Sequence, residues 1–170
     1  MSDFKQEDNN SYLIFKIELE EFAVSTSKVQ RILEMQPLTI IPKAPIYMKG
    51  VVNLMGKVLP AIDARLKMGL QEKEYDNNTC IVVLEIEKDG VLIETGVIVD
   101  SVQSVVEFQK EEIKGPLTVG VDANADFIEG MVQQDDKFII ILDVDSIFSI
   151  EEVITLQQFI EIEETVEDDD

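Results

Sequence analysis

The hexapeptide Val29-Gln30-Arg31-Ile32-Leu33-Glu34 returns 73 residues later as Val102-Gln103-Ser104-Val105-Val106-Glu107. A second block returns after 80 residues: Gly50-Val51-Val52, Lys57-Val58-Leu59 and Ala61-Ile62-Asp63 are answered by Gly130-Met131-Val132, Lys137-Phe138-Ile139 and Ile141-Leu142-Asp143. Each set follows a strand-like run, Tyr12 to Glu18 in one half and Cys80 to Glu87 in the other. Several matches in one order indicate two similar units, with approximate repeats at 11–70 and 79–150. The polar stretch Gln71 to Asn78 reads as the boundary between them.

The runs are short, rich in Val, Ile and Phe, and well punctuated, which is the signature of strands. Leu13, Phe15, Ile17 and Leu19 alternate with other residues, as on a strand with one buried face. Gly50 to Asp63 reads as a hairpin with its tip at Met55-Gly56-Lys57, Gly56 supplying the positive φ of a tight turn. Pro60 cannot donate to a ladder and is expected at an edge or bulge. The matching hairpin Met131 to Leu142 is expected to turn at Asp135-Asp136, and a third at Asp89-Gly90. Helix is scarce. Ser25 or Ser27 is placed to cap a short one through Leu33, and another fits Ala64 to Met68. Ile150 to Ile162 fits either a strand or a helix. The expected fold is therefore mainly β: two small antiparallel barrel subdomains of five-stranded type with few short helices.

Composition limits the chemistry. The chain has no histidine, which removes His-based acid–base catalysis, His-paired nucleophiles and histidine metal sites. Its one cysteine, Cys80, lies in the apolar run Cys80-Ile81-Val82-Val83-Leu84 and is expected to be a buried, reduced thiol, which points to the cytoplasm. No glycine-rich phosphate loop occurs. The N-terminus lacks the basic-then-apolar layout of a secretory signal, and no apolar run approaches the roughly 20 residues of a membrane span. Residues 1–10 are expected to be a flexible N-terminus.

The formal charge is −21, a balance that repels nucleic acid and anionic lipid. Yet from Lys28 to Lys73 eight bases (Lys28, Arg31, Lys43, Lys49, Lys57, Arg65, Lys67, Lys73) face three acids (Glu34, Asp63, Glu72). Such a segment is either a solvated surface or a face for an acidic partner. Residues 151–170 form a C-terminal element whose end, Glu161 to Asp170, has seven acids and no base and reads as a mobile tail.

The remaining chemical candidates are acidic. Asp122-Ala123-Asn124-Ala125-Asp126 imitates the start of a calcium loop, but its sixth position is Phe127 rather than Gly and its twelfth is Gln133 rather than Glu. Asp63 and Asp143 are repeat-equivalent at strand ends, where capping a following turn or helix is the expected job. No catalytic, metal or cofactor-binding residue emerges. Tyr12, Phe15, Phe108, Phe127, Phe138 and Phe148 are expected in the core, and Tyr47, after Pro45, at the surface.

The stretch Ile41-Pro42-Lys43-Ala44-Pro45-Ile46-Tyr47-Met48-Lys49-Gly50-Val51-Val52-Asn53-Leu54-Met55-Gly56-Lys57-Val58-Leu59-Pro60-Ala61-Ile62-Asp63 resembles the signature of CheW domains. Its elements are a Pro-x-x-Pro approach, Lys-Gly, an Asn-Leu-Arg-Gly turn, and a strand through Pro to Asp. Val99-Asp100-Ser101-Val102, Phe127-Ile128-Glu129-Gly130 and Ile140-Ile141-Leu142-Asp143 resemble the family's second half. The likeness covers about residues 11 to 150.

The resemblance implies two β-barrel subdomains around a hydrophobic groove. It also implies a cytoplasmic, non-catalytic adaptor with no cofactor, joining the cytoplasmic tips of methyl-accepting chemoreceptors to the regulatory domain of the histidine kinase CheA. The chain is too short to hold a kinase or receiver domain as well, which favours a free-standing adaptor. On this reading Val29, Arg31, Gly50, Asn53, Leu54 and Met55 form the receptor-facing surface, Val29 and Leu54 being equally at home in a core. None of the matched motifs carries the kinase-facing surface; an exposed strand edge is the natural docking element of such barrels.

Two positions depart from the family pattern. The usual Asn-Leu-Arg-Gly is Asn53-Leu54-Met55-Gly56, and Arg31 stands where some members carry an acid. Opposite charges that could pair across the groove in those members are here reversed at one position and neutral at the other. This leaves a more basic and apolar groove, suited to an acidic or methionine-accepting partner. The alternatives are a divergent paralogue serving a non-flagellar chemosensory system, or a repurposed small-ligand-binding module.

Overall fold

A computed structural model describes residues 10–115 and 127–168, with side chains up to residue 160. The strands are β1 (Ser11–Ile17), β2 (Glu20–Ser25), β3 (Val29–Glu34), β4 (Met48–Leu54), β5 (Lys57–Asp63), β6 (Cys80–Lys88), β7 (Val91–Val99), β8 (Ser101–Glu107), β9 (Ile113–Lys114), β10 (Ile128–Gln134) and β11 (Lys137–Leu142). Two α-helices accompany them, α1 (Ala64–Lys67) and α2 (Ile150–Asp168). The strands form two curled sheets, ordered β8-β1-β2-β11-β10-β9 and β3-β6-β7-β5-β4. The expected mainly-β architecture of two subdomains is what is observed.

The sheets do not divide where the sequence halves divide. The hairpin β1–β2 of the first repeat joins β8, β10 and β11 of the second, while β6–β7 joins β3, β4 and β5 of the first. Each hairpin is thus exchanged into the other unit. Both exchanges end on a parallel pairing, β11 with β2 and β5 with β7.

The repeat is visible in the irregularities of the ladders. Gln30 is the extra residue between the pairs Val29↔Leu84 and Arg31↔Val83. Its equivalent Gln103 is the extra residue between Val102↔Phe15 and Ser104↔Ile14. Lys49 and Glu129 bulge in the same way. Bulges bend a strand and increase its twist, and so help each sheet to curl. Beside two of these bulges lie Gly50 and Gly130. A Cβ at Gly50 would stand 2.5 Å from the carbonyl oxygen of Thr39, and one at Gly130 2.7 Å from that of Lys114. Both positions need glycine so that another segment can cross close by.

Among the described residues the core has three parts. Leu13, Phe15 and Ile17 pack with Ile62, Leu84 and Phe148 between the sheets. Tyr12 and Ile14, on the opposite face of β1, pack with Phe108, Val132 and Ile141. Val52, Leu59, Ala61, Ile81, Val83 and Ile98 fill the other subdomain. β1 is therefore buried on both faces, not one, while Leu19 lies in the exposed turn after it.

Other expectations are corrected. The helix after Ser25 is one 3-10 turn, Thr26–Lys28, capped by the Ser25 side chain; Val29 then enters β3, where pairing with β6 satisfies its backbone. Pro60 lies in an interior strand, one residue before the parallel ladder to β7 begins at Ala61↔Gly96. Cys80 is only half-buried, its thiol 3.3 Å from the carbonyl oxygen of Asn78. Phe138 is half-exposed, since β11 turns it outward near the hairpin tip. The C-terminal element, which the sequence left open between strand and helix, is a helix, Ile150–Asp168. Its start carries a reciprocal cap: Ser149 N–H donates to Glu152 Oε1 (2.9 Å) and Glu152 N–H to Ser149 Oγ (3.1 Å). No Gly or Pro follows Gly130 to stop it.

Candidate functional site

The hairpin β4–β5 closes through a two-residue turn, Leu54 pairing with Lys57. Met55 has φ +55° and Gly56 φ +89°, the double left-handed conformation whose twist matches that of flanking strands. Gly56 N–H donates to Asn53 Oδ1 at 3.0 Å, so the asparagine holds the turn. The methionine has no such local reason to be there, and it is 94% exposed.

Beside this tip runs an open groove of about 430 Å³. Arg31 enters it from β3, Leu54, Met55 and Lys57 from the hairpin, Leu92 and Glu94 from β7, and Gln157 and Ile160 from α2. Of the six sequence candidates the fold thus brings Arg31, Leu54 and Met55 together. Asn53 is exposed next to them. Val29, at 3% exposure, packs in the core between the sheets, and Gly50 is buried under Thr39. Sequence reading missed Lys57, Leu92, Glu94, Gln157 and Ile160, because hairpin exchange and the fold-back of α2 deliver most of them. The one local signal was Leu92, an apolar residue out of phase with the buried Ile93 and Thr95 of its own strand.

A second cavity of about 620 Å³ lies between the sheets. Phe15, Ile17, Phe22 and Val24 line it from one sheet, and Ile62, Leu84 and Val97 from the other. At its partly exposed rim Lys67 Nζ meets Glu152 Oε1 and Oε2 at 3.1 and 3.0 Å, and stands 4.9 Å from the ring centre of Tyr47 and 5.2 Å from that of Phe148. Tyr47, expected at the surface, packs here against Phe148 with ring centres 6.0 Å apart. Burial and the neighbouring Glu152 carboxylate both raise the Tyr47 hydroxyl's pKa. Burial pushes Glu152 up, but the Ser149 amide and Lys67 outweigh it and hold the carboxyl below its usual range.

Asp63 caps α1, accepting from the N–H groups of Arg65 (2.8 Å) and Leu66 (3.4 Å), as its place in the sequence implied. Asp143 accepts instead from the Ser146 hydroxyl at 3.0 Å. The stretch Asp122–Asp126 lies outside the described residues. Among the described residues no group of three or more acidic or cysteine side chains is placed to hold a metal ion, and no described helix is long and apolar enough to cross a membrane.

Fold and groove define a β-rich protein of two hairpin-exchanged sheets, with an open groove lined by apolar and basic side chains and one acidic side chain at one hairpin tip. The chain belongs to the CheW family: the CheW-like domain model matches residues 11–166, taking in most of α2. The chain is 32% identical over 142 residues to the chemotaxis protein CheW of Klebsiella aerogenes, covering 84% of this chain and 83% of the relative. It is 32% identical over 136 residues to that of Bacillus subtilis, covering 79% and 84%. The crystal structure of the scaffolding protein TtCheW from Thermoanaerobacter tengcongensis superposes with a TM-score of 0.73 at 28% identity, covering 85% of this chain and 95% of that one.

Proposed function

We propose that this chain is a cytoplasmic chemotaxis adaptor that couples the cytoplasmic tips of methyl-accepting chemoreceptors to the regulatory domain of the histidine kinase CheA by protein–protein contact, without catalysis or cofactor. The observation that carries this reading is the convergence of Arg31, Leu54 and Met55 on one open groove, with Met55 held outward in a conformation that costs a non-glycine residue stability. A receptor helix would place apolar side chains against Met55, Leu54 and Leu92 and an acidic group toward Arg31 and Lys57. Asn53 shapes the tip, while Val29 and Gly50 serve the core and the backbone of the same sheet.

Titration calorimetry of the full chain against the CheA regulatory domain and a receptor cytoplasmic fragment from the same organism tests the proposal. Saturable, roughly stoichiometric binding to both is the expected result. Met55→Arg, which sets a third cation in the groove beside Arg31 and Lys57, is expected to weaken receptor binding and leave kinase binding unchanged. Absence of binding to every CheA of the organism would leave the fold intact and remove the coupling role.

A further inference from the structure

The cavity between the sheets shares no lining residue with the groove at the hairpin tip. Its volume, about 620 Å³, falls within the roughly 300–1,000 Å³ of small-molecule sites. Its walls are apolar: aromatic rings of Phe15, Phe22, Phe127 and Phe148, and aliphatic side chains from both sheets. Among the described residues of that lining the one charged side chain is Lys67. An apolar cavity of this kind gains nothing from water and takes up apolar molecules.

The chemistry of the rim specifies the head of such a molecule. Lys67 already receives a carboxylate, that of Glu152, and the Tyr47 and Phe148 rings brace its ammonium. An ammonium has three donors, and the two Glu152 oxygens take two. We infer that this cavity is a binding site for a single-chain fatty acid, its alkyl chain lying between the sheets and its carboxylate on Lys67 beside Glu152. A neutral head would forgo the Lys67 ammonium, and a cationic head would be repelled by it. A two-chain lipid would exceed the volume.

The test is calorimetric titration of the full chain with octanoate, decanoate and dodecanoate below their micellar concentrations, with dodecanol as the neutral control. The expected result is saturable one-to-one binding that tightens about fourfold for each added methylene, with dodecanoate preferred to dodecanol. Lys67→Gln is expected to lower dodecanoate affinity about tenfold, the scale of one lost charge-assisted hydrogen bond, and to leave dodecanol binding unchanged. Glu152→Gln breaks the same ion pair but keeps the cation, so it should retain or tighten dodecanoate binding. Equal losses in both variants would mean that the ion pair only holds α2 in place, and would overturn the headgroup assignment. Methyl NMR of the unmodified protein locates the ligand without relying on any variant's folding. Shifts confined to Val24, Leu84, Val97 and Leu142 support the site. Shifts centred on Leu54, Met55 and Leu92 mean surface binding and overturn it, as does the absence of saturable binding.

Discussion

Arg65 and Asp100 form a forked ion pair, Nε donating to Oδ1 at 3.0 Å and Nη2 to Oδ2 at 2.7 Å. Asp100 is the single residue between β7 of one sheet and β8 of the other, and its Oδ2 also accepts the N–H of Glu18, in the turn after β1, at 2.7 Å. Arg65, almost fully buried, further donates to Glu18 Oε2 and to the carbonyl oxygen of Gln71. One guanidinium therefore ties α1, the crossing between the sheets and the β1–β2 turn together. Its hydrogen bond to Asp100 is the main reason its pKa lies above the ordinary arginine value.

Asp100→Asn is expected to destabilise the fold by about 3 kcal/mol, because it leaves a buried guanidinium short of its principal counter-charge. Glu18→Gln, at an exposed partner, is expected to cost under about 1 kcal/mol. Urea unfolding of both variants at neutral pH checks the difference. Equal effects would mean that Asp100 is not the anchor.

The same pair sets an acid limit. Burial pushes the Asp100 carboxyl up, but hydrogen bonds from Arg65 and the Glu18 amide prevail, so its folded value lies below the ordinary 3.8. Glu152 is likewise held below 4.5 by the Ser149 amide and Lys67 against the effect of burial. Groups lowered in this way contribute stability that is present in full above their unfolded values and is lost as pH falls through the folded ones. Stability should therefore hold from neutral pH to about 5 as far as these two groups are concerned, and decline below about 4. In Asp100→Asn the part of the decline due to this residue should be missing, which denaturation midpoints from pH 3 to pH 7 would show.

Met55→Asn is expected to stabilise the protein by about 0.5–1 kcal/mol, since Asn-Gly suits a turn with both central φ values positive. The same change removes the most exposed apolar side chain of the groove and is expected to weaken receptor binding. A rise in thermal midpoint together with lower affinity would show that the methionine is retained for contact at a cost in stability.

Gly50→Ala and Gly130→Ala are each expected to cost about 2 kcal/mol or more, because the added methyl group meets a backbone oxygen rather than a side chain that can move aside. Gly56→Ala meets nothing within 4 Å, and its cost, about 1 kcal/mol, comes from φ alone. Thermal unfolding of the three variants separates crowding from backbone strain.

The sequence by itself determined what depends on neighbours along the chain. Alternation marked the strands, Met55-Gly56 and Asp89-Gly90 marked hairpins, Asp63 marked a cap, and the 73- and 80-residue repeats marked two similar units, whose matching bulges only the ladders showed. The Ser149–Glu152 cap of α2 was not read from the sequence, where Ile150 to Ile162 fitted either a strand or a helix. Only the tertiary structure decided which strands share a sheet. Backbone N–H and C=O groups are alike in every strand, so a ladder carries little record in the sequence of which hairpin it will accept. β1–β2 and β6–β7 could each have stayed with their own half; burying β1 on both faces placed them in the other. That exchange puts Leu92 and Glu94 beside Arg31 and Met55, and the packing of α2 adds Gln157 and Ile160. The groove is assembled from residues as far apart as Arg31 and Ile160, and no local pattern joins them, because the burial that brings them together is a property of the whole core.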